Sequence, residues 1–180
     1  MPNSAVEPRP QARWLFGKLP SHGDFVSRGI SASLRDELDL WLSAEMEQAR
    51  AAWGDGFDAR YEAAPVWHFV DAQSDGNWSG GILCASTDRV GRRFPLLISA
   101  PAPDCAGAVA LSAGCLALVA QAFAEGWDAD RLNTAPLEPD ALPWQPEQPS
   151  WALVGEDGPV VQYEGRTPVG VIGRMLEMAA

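Results

Sequence analysis

Two histidines and three cysteines in 180 residues leave the chain short of the side chains from which most metal and nucleophilic sites are built. Cys84, Cys105 and Cys115 are odd in number, lack C-x-x-C spacing and sit in apolar runs such as Ile82-Leu83-Cys84-Ala85 and Gly114-Cys115-Leu116-Ala117. That setting suits small buried hydrophobes in a reducing compartment. A metal site of ordinary type needs three or four convergent ligands at a recognisable spacing, which is missing here, so neither a metal nor a cofactor is expected. No G-x-G-x-x-G or P-loop phrase follows a strand-like run, which excludes the common nucleotide folds. No G-x-S-x-G elbow occurs either, and Ser86 has an acid nearby but no base. Residues Met1 to Pro10 lack an apolar core of the signal-peptide kind, and no uninterrupted apolar run approaches the ~18 residues that span a bilayer, so export and membrane insertion are not expected.

Basic charge is also scarce. Thirteen basic against twenty-four acidic side chains leave a net charge of -11, which repels phosphate backbones and anionic lipid surfaces. Nucleic-acid binding is therefore not expected. The same charge keeps a cytosolic protein soluble. Hydrophobic residues make up 47% of the chain, far more than a disordered segment carries, so it is expected to fold.

Residues 1–12 hold three prolines and few large apolar groups, and read as a mobile tail ahead of a single domain over 13–180. Trp14 to Lys18 reads as a short strand, and Ser21-His22-Gly23-Asp24 offers turn chemistry after Pro20. Ser33 with Asp36 and Glu37 reads as the cap of an amphipathic helix over about 33–53, carried by Leu34, Leu38, Trp41 and Leu42 and ended by Gly54. A shorter helix is expected near 58–63, stopping before Pro65, then a strand over Val66 to Val70. The polar stretch Asp71 to Ser79 looks too long for a tight hairpin, which predicts a surface connection to a strand over Gly81 to Ser86. Phe94 to Ala100 reads as a buried strand whose early proline predicts an edge or strand-start position.

The alanine- and leucine-rich stretch from Ala106 to about Glu125 has helical spacing and is expected to pack on the sheet. Five prolines between Ala135 and Pro149 predict an irregular, proline-rich surface excursion over 126–150. A final hairpin over Trp151 to Val154 and Val160 to Tyr163 and a short helix near 168–178 complete the reading. Some five strands with hairpin signals, and helices that do not alternate with them, predict an α/β (α+β) protein with a largely antiparallel sheet flanked by helices.

The most enzyme-like phrase is Ser21-His22-Gly23-Asp24, where an imidazole and a carboxylate on one turn could share a proton. With Asp88 they would make a hydrolase or phosphatase-like set. The other histidine, His68, lies in an apolar strand, where a hydrogen-bonded imidazole without chemistry is the expected role. Asp88-Arg89-Val90-Gly91-Arg92-Arg93 gathers three basic residues in an acidic chain, and guanidinium forks suit a partner's carboxylate or phosphate. An internal Asp-Arg pairing that fixes this loop against the His22-Asp24 turn is the competing reading. Trp14, Trp41 and Trp67 read as core. Trp78, Trp127 and Trp144, in polar or proline-rich stretches, read as interface anchors or as covers over the core.

Four blocks in order, Gly17-Lys18-Leu19-Pro20-Ser21-His22-Gly23-Asp24-Phe25-Val26, Leu38-Asp39-Leu40-Trp41-Leu42, Ala64-Pro65-Val66-Trp67-His68-Phe69 and Ser86 to Leu96, together resemble the TagF family, also called ImpM, which is associated with type VI secretion. The match spans about residues 14–101 and is loose after Ala106. The resemblance implies a cytoplasmic accessory protein of bacterial type VI secretion, a post-translational repressor to which no catalysis is attributed. It implies a three-layer fold similar to longin or profilin-like domains. It also implies direct binding to the forkhead-associated scaffold protein of the system. Some members are fused to a phosphoprotein phosphatase; none follows here, so an associated phosphatase would be a separate partner chain. The matching positions are His22, Gly23, Asp24, Asp88, Arg89, Gly91 and Arg92, expected to bind a partner or to structure the site. Arg93, expected to serve with them, stands where relatives often carry an aromatic or other residue, and segment 135–149 looks peculiar to this chain. A third reading is a dimerising structural part, which would carry a large apolar patch.

Overall fold

The structure is a computed structural model describing residues 12–179; the tail expected over 1–12 lies, but for Ala12, outside the described residues. The chain runs β1 (Trp14–Gly17), β2 (Val26–Arg28), α1 (Ala32–Trp53), a short 3-10 turn (Gly54–Gly56), α2 (Phe57–Glu62), β3 (Trp67–Ala72), β4 (Trp78–Cys84), β5 (Leu96–Ala102), α3 (Cys105–Glu125), α4 (Ala129–Thr134), β6 (Ser150–Gly155), β7 (Gly158–Glu164) and α5 (Val171–Glu177). The strands form one seven-stranded sheet in the order β2-β1-β5-β4-β3-β6-β7, with every pairing antiparallel. The α+β class and the antiparallel sheet between helices are thus as the sequence predicts, with seven strands in place of about five.

The period-two alternation of β1 explains the layering. Trp14 and Phe16 turn to one face, where they join Trp67, Phe69, Leu83 and Trp151 under α1, α2 and α5. Leu15 turns to the other, where it joins Ile82, Leu96 and Ile98 under α3 and α4. Because both faces are covered, central strands such as β4 and β5 are apolar almost throughout, and helix and strand signals blur there. The helix α3 is apolar and long enough by composition to cross a membrane, but half of that stretch is buried, and its seat is the sheet. The seat depends on Gly80: a Cβ there would lie 1.7 Å from the Ala108 carbonyl oxygen.

Several local expectations are corrected. The cap of α1 is Ser31, whose side chain accepts from the Leu34 N–H at 3.2 Å, and not Ser33, which is already inside the helix. Strands β3 and β4 take both ends of the polar stretch and form a hairpin, closed by Gln73 N–H to Asn77 O at 2.7 Å, with residues 73–77 left as the connection. Pro95 precedes β5, which is central and lies between β1 and β4, so its strand-start reading holds and its edge reading does not. The excursion over 126–150 contains α4, capped by Asp128 on the Arg131 N–H at 2.8 Å. Trp127 and Trp144 from this segment are buried and cover the core, and Trp78 lies in β4. Strand β2 went unread because its three residues are too few to show a period.

The last helix is held by polar groups from α1. Glu45, buried in α1, accepts from the backbone N–H groups of Gly170 at 2.9 Å and Ile172 at 3.3 Å. Trp67 Nε1 donates to the Val171 carbonyl at 2.9 Å. A buried carboxylate is thereby paid for by orphan helix N–H groups.

Candidate functional site

Strand β1 ends at Gly17 and the chain turns at once, Leu19 O accepting from His22 N–H at 3.0 Å. Across the sheet, β4 ends at Cys84, and residues 86–94 loop back before β5; Thr87 bridges Arg93, and Phe94 N–H donates to Ser86 O at 3.2 Å. Since β1 and β5 are neighbours, this loop and the 20–24 turn leave the same end of the sheet and meet. Arg89 N–H donates to His22 O at 2.7 Å, and Arg92 Nη2 donates to Gly23 O at 2.7 Å.

Asp88 organises the loop. Its Oδ1 accepts from the backbone N–H groups of Val90 at 3.1 Å and Arg92 at 2.9 Å. Its Oδ2 faces Arg92 Nε at 2.7 Å and Lys18 Nζ at 3.0 Å. Burial opposes ionisation of this carboxyl, but the Arg92 N–H, the Lys18 ammonium, the Arg92 guanidinium and the Val90 N–H outweigh it and hold it far below the usual carboxylate range. Gly91 takes φ +84, the left-handed conformation that lets the chain double back so that Arg92 N–H reaches Asp88.

The turn is tied down elsewhere too. His22 Nε2 accepts from the Ala129 N–H at 3.1 Å, and Ser21 Oγ donates to Trp127 O at 2.7 Å, which pins the turn to the α3–α4 corner. Below the loop, the buried Tyr61 hydroxyl donates to Ser86 O and accepts from Ser86 N–H, both at 3.1 Å. Ser86 Oγ in turn donates to Lys18 O at 2.7 Å. Phe25 packs on Phe16 and Phe94, and the Lys18 ammonium lies 5.1 Å from its ring centroid.

Of the residues singled out from sequence, His22, Gly23, Asp24, Asp88, Arg89, Gly91 and Arg92 come together at this end of the sheet. Arg93 faces away, joining Asp58 at 3.1 Å and Glu62 on α2. The internal Asp-Arg pairing expected in this loop exists, between Asp88 and Arg92, and Lys18 joins it. The exposed Asp24 accepts from the Phe25 N–H at 2.8 Å, and no hydrogen bond or ion pair joins it to His22 or Asp88. The hydrolase-like set is therefore not assembled: Asp88 is buried and saturated, and His22 Nε2 is occupied by a backbone N–H. Among the described residues no group of three or more His, Cys, Asp or Glu is placed to hold a metal ion.

Sequence reasoning missed the roles of Lys18, Tyr61 and Ser86. Lys18 carried a signal, as a charge at the end of an apolar strand; Ser86 was weighed only as a nucleophile, and Tyr61 carried no signal.

The turn and the loop both lie within a single matched region. The family profile described as the TagF N-terminal domain, type VI secretion system-associated, matches residues 15–135. The chain belongs to the TagF family. It is a type VI secretion-associated protein, and the matched region runs from β1 past α4, further than the four sequence blocks reach. No curated protein matches this TagF chain. Among solved structures it is similar to the crystal structure of PA0076 from Pseudomonas aeruginosa PAO1, with 24% identity and a TM-score of 0.66, covering 92% of this chain and 94% of that one. That likeness shows that the fold extends over nearly the whole TagF chain, beyond the region of the family match.

Proposed function

We propose that this TagF protein is a non-catalytic, cytoplasmic, post-translational repressor of a type VI secretion system, acting by binding a scaffold component such as the forkhead-associated protein. One observation carries the reading: Asp88, the acid nearest to a catalytic role, is spent inside the loop on Lys18 and Arg92. What this end of the sheet offers is a preformed surface of turn and loop with little ordering left to lose on binding. An associated phosphatase is a second candidate partner, bound at the same surface or beside it.

The test is overproduction of the wild type and Asp88→Ala in a strain whose secretion system is active, followed by effector release and scaffold co-purification. The wild type is expected to suppress release and to retain the scaffold, and Asp88→Ala to do neither although it accumulates. Undiminished release with the wild type refutes repression.

A further inference from the structure

Arg89 stands apart from the other arginines of the described chain. Each of the others is matched by a carboxylate, as Arg28 by Asp130 and Arg166 by Asp71, by an aromatic ring, as Arg60 by Trp53, or by backbone carbonyls, as Arg13 by those of Leu132 and Ala135. Arg89 is exposed, and its guanidinium takes part in no hydrogen bond, ion pair or ring contact among the described residues. In an acidic chain with carboxylates to spare, an unmatched guanidinium is an unused binding capacity.

Its position is set by the surroundings. The Arg89 N–H is held on His22 O at 2.7 Å, and the guanidinium lies against Gly23, where a Cβ would come within 3.3 Å of Nη2. The neighbouring Asp88 does not neutralise it, being already shared by Lys18 and Arg92. Exposed apolar side chains follow on both segments: Val90, next to Arg89 in the chain, is 70% exposed, and Phe25, two residues after Gly23, is 45% exposed. A fork flanked by apolar groups that exclude water is the composition of an interface hot spot.

We infer that Arg89 anchors the partner by clasping a carboxylate of an acidic segment of that protein, with flanking apolar residues seated against Phe25 and Val90. The inference rests on the docking reading above and names its chemistry. One unmatched fork fits one carboxylate in a bidentate pair. A phosphate dianion calls for more than one uncommitted cation, whereas every other arginine described already has a carboxylate, ring or carbonyl partner.

The experiment has two arms. In the first, the purified forkhead-associated scaffold is titrated with the wild type, Arg89→Ala, Arg89→Lys and Arg35→Ala, the last removing an exposed arginine paired only with its neighbour Asp36. Arg89→Ala is expected to weaken binding ten- to a hundredfold, Arg89→Lys to restore only part, and Arg35→Ala to change nothing. In the second arm, protein labelled with nitrogen-15 in arginine is titrated with a capped peptide alternating leucine and glutamate, with its glutamine counterpart and with a phosphoserine counterpart. The Arg89 Nε signal is expected to move with the glutamate peptide and not with the glutamine one. Scaffold binding that survives Arg89→Ala overturns the anchor and leaves docking intact. If the wild type fails to bind the scaffold, the docking reading falls, and an unmoved Arg89 signal then removes the anchor as well. Tighter binding of the phosphoserine peptide than of the glutamate peptide overturns the choice of carboxylate.

Discussion

Lys18 Nζ lies 3.0 Å from Asp88 Oδ2, and the two side chains, 8% and 0% exposed, join the end of β1 to the β4–β5 loop. Two charges withdrawn from water are tolerable only because backbone N–H groups and Arg92 complete the carboxylate's shell. Removing the acid leaves the Lys18 ammonium buried and the loop without its centre.

Asp88→Asn is therefore expected to lower the urea midpoint at pH 7 by more than Arg35→Ala, which breaks an exposed pair. The pH dependence follows from the depressed carboxyl. The folded form ionises below the ordinary value of 3.8, so the contribution of Asp88 is complete well above that value and is lost as pH falls through it towards the lower folded pKa. Urea melts from pH 6 to pH 2 should show a shallower acid decline for Asp88→Asn than for the wild type; parallel curves would refute the assignment.

His68 produces a separate acid transition at higher pH. Burial lowers its pKa from 6.5 to about 4. Its Nδ1 lies 3.2 Å from Ser112 Oγ, whose own proton goes to Val109 O at 2.8 Å, so Oγ accepts from Nδ1–H of a neutral ring. The unfolded chain binds a proton below pH 6.5 and the folded one only below about 4, so stability is full above pH 6.5 and falls by roughly 3 kcal/mol across that window. His68→Gln is expected to flatten the wild-type slope between pH 6.5 and 4, read by chemical denaturation.

Gly80→Ala should be among the most damaging single-methyl changes. The added carbon would sit 1.7 Å from Ala108 O, a backbone atom that moves only with α3. A loss of about 3 kcal/mol or more is expected, seen as a large drop in Tm or as insoluble protein. Gly56→Ala is the control: φ is -82 there, a conformation any residue adopts, with nothing within 4 Å of the added carbon. It should leave Tm nearly unchanged.

Ser31 and Ser33 separate the true cap of α1 from its apparent one. Ser31→Ala removes the acceptor for Leu34 N–H and should cost about 1 kcal/mol in thermal or urea melts. Ser33→Ala, in the first turn, should be within about 0.5 kcal/mol of the wild type.

The sequence by itself determined those parts of the protein that depend on near neighbours in the chain. The helical spacing of Leu34, Leu38 and Leu42 makes α1, and the short apolar run from Trp14 closed by Pro20 makes β1 and the turn after it. The same locality made His22, Gly23, Asp24 and the arginine loop stand out as phrases. Tertiary structure alone decided which carboxylate meets which cation. Arg89 and Arg92 are equivalent as letters, but Arg92 is the one the Gly91 turn carries back onto Asp88, while Lys18 arrives from a strand 70 positions away in the chain. Pairing across a sheet is set by register and by the loops that close it, and neither leaves a period in the sequence. For that reason the sharing of charge, with Arg92 committed to Asp88 and Arg89 unmatched among the described residues, became readable only once β1, β4 and β5 lay side by side.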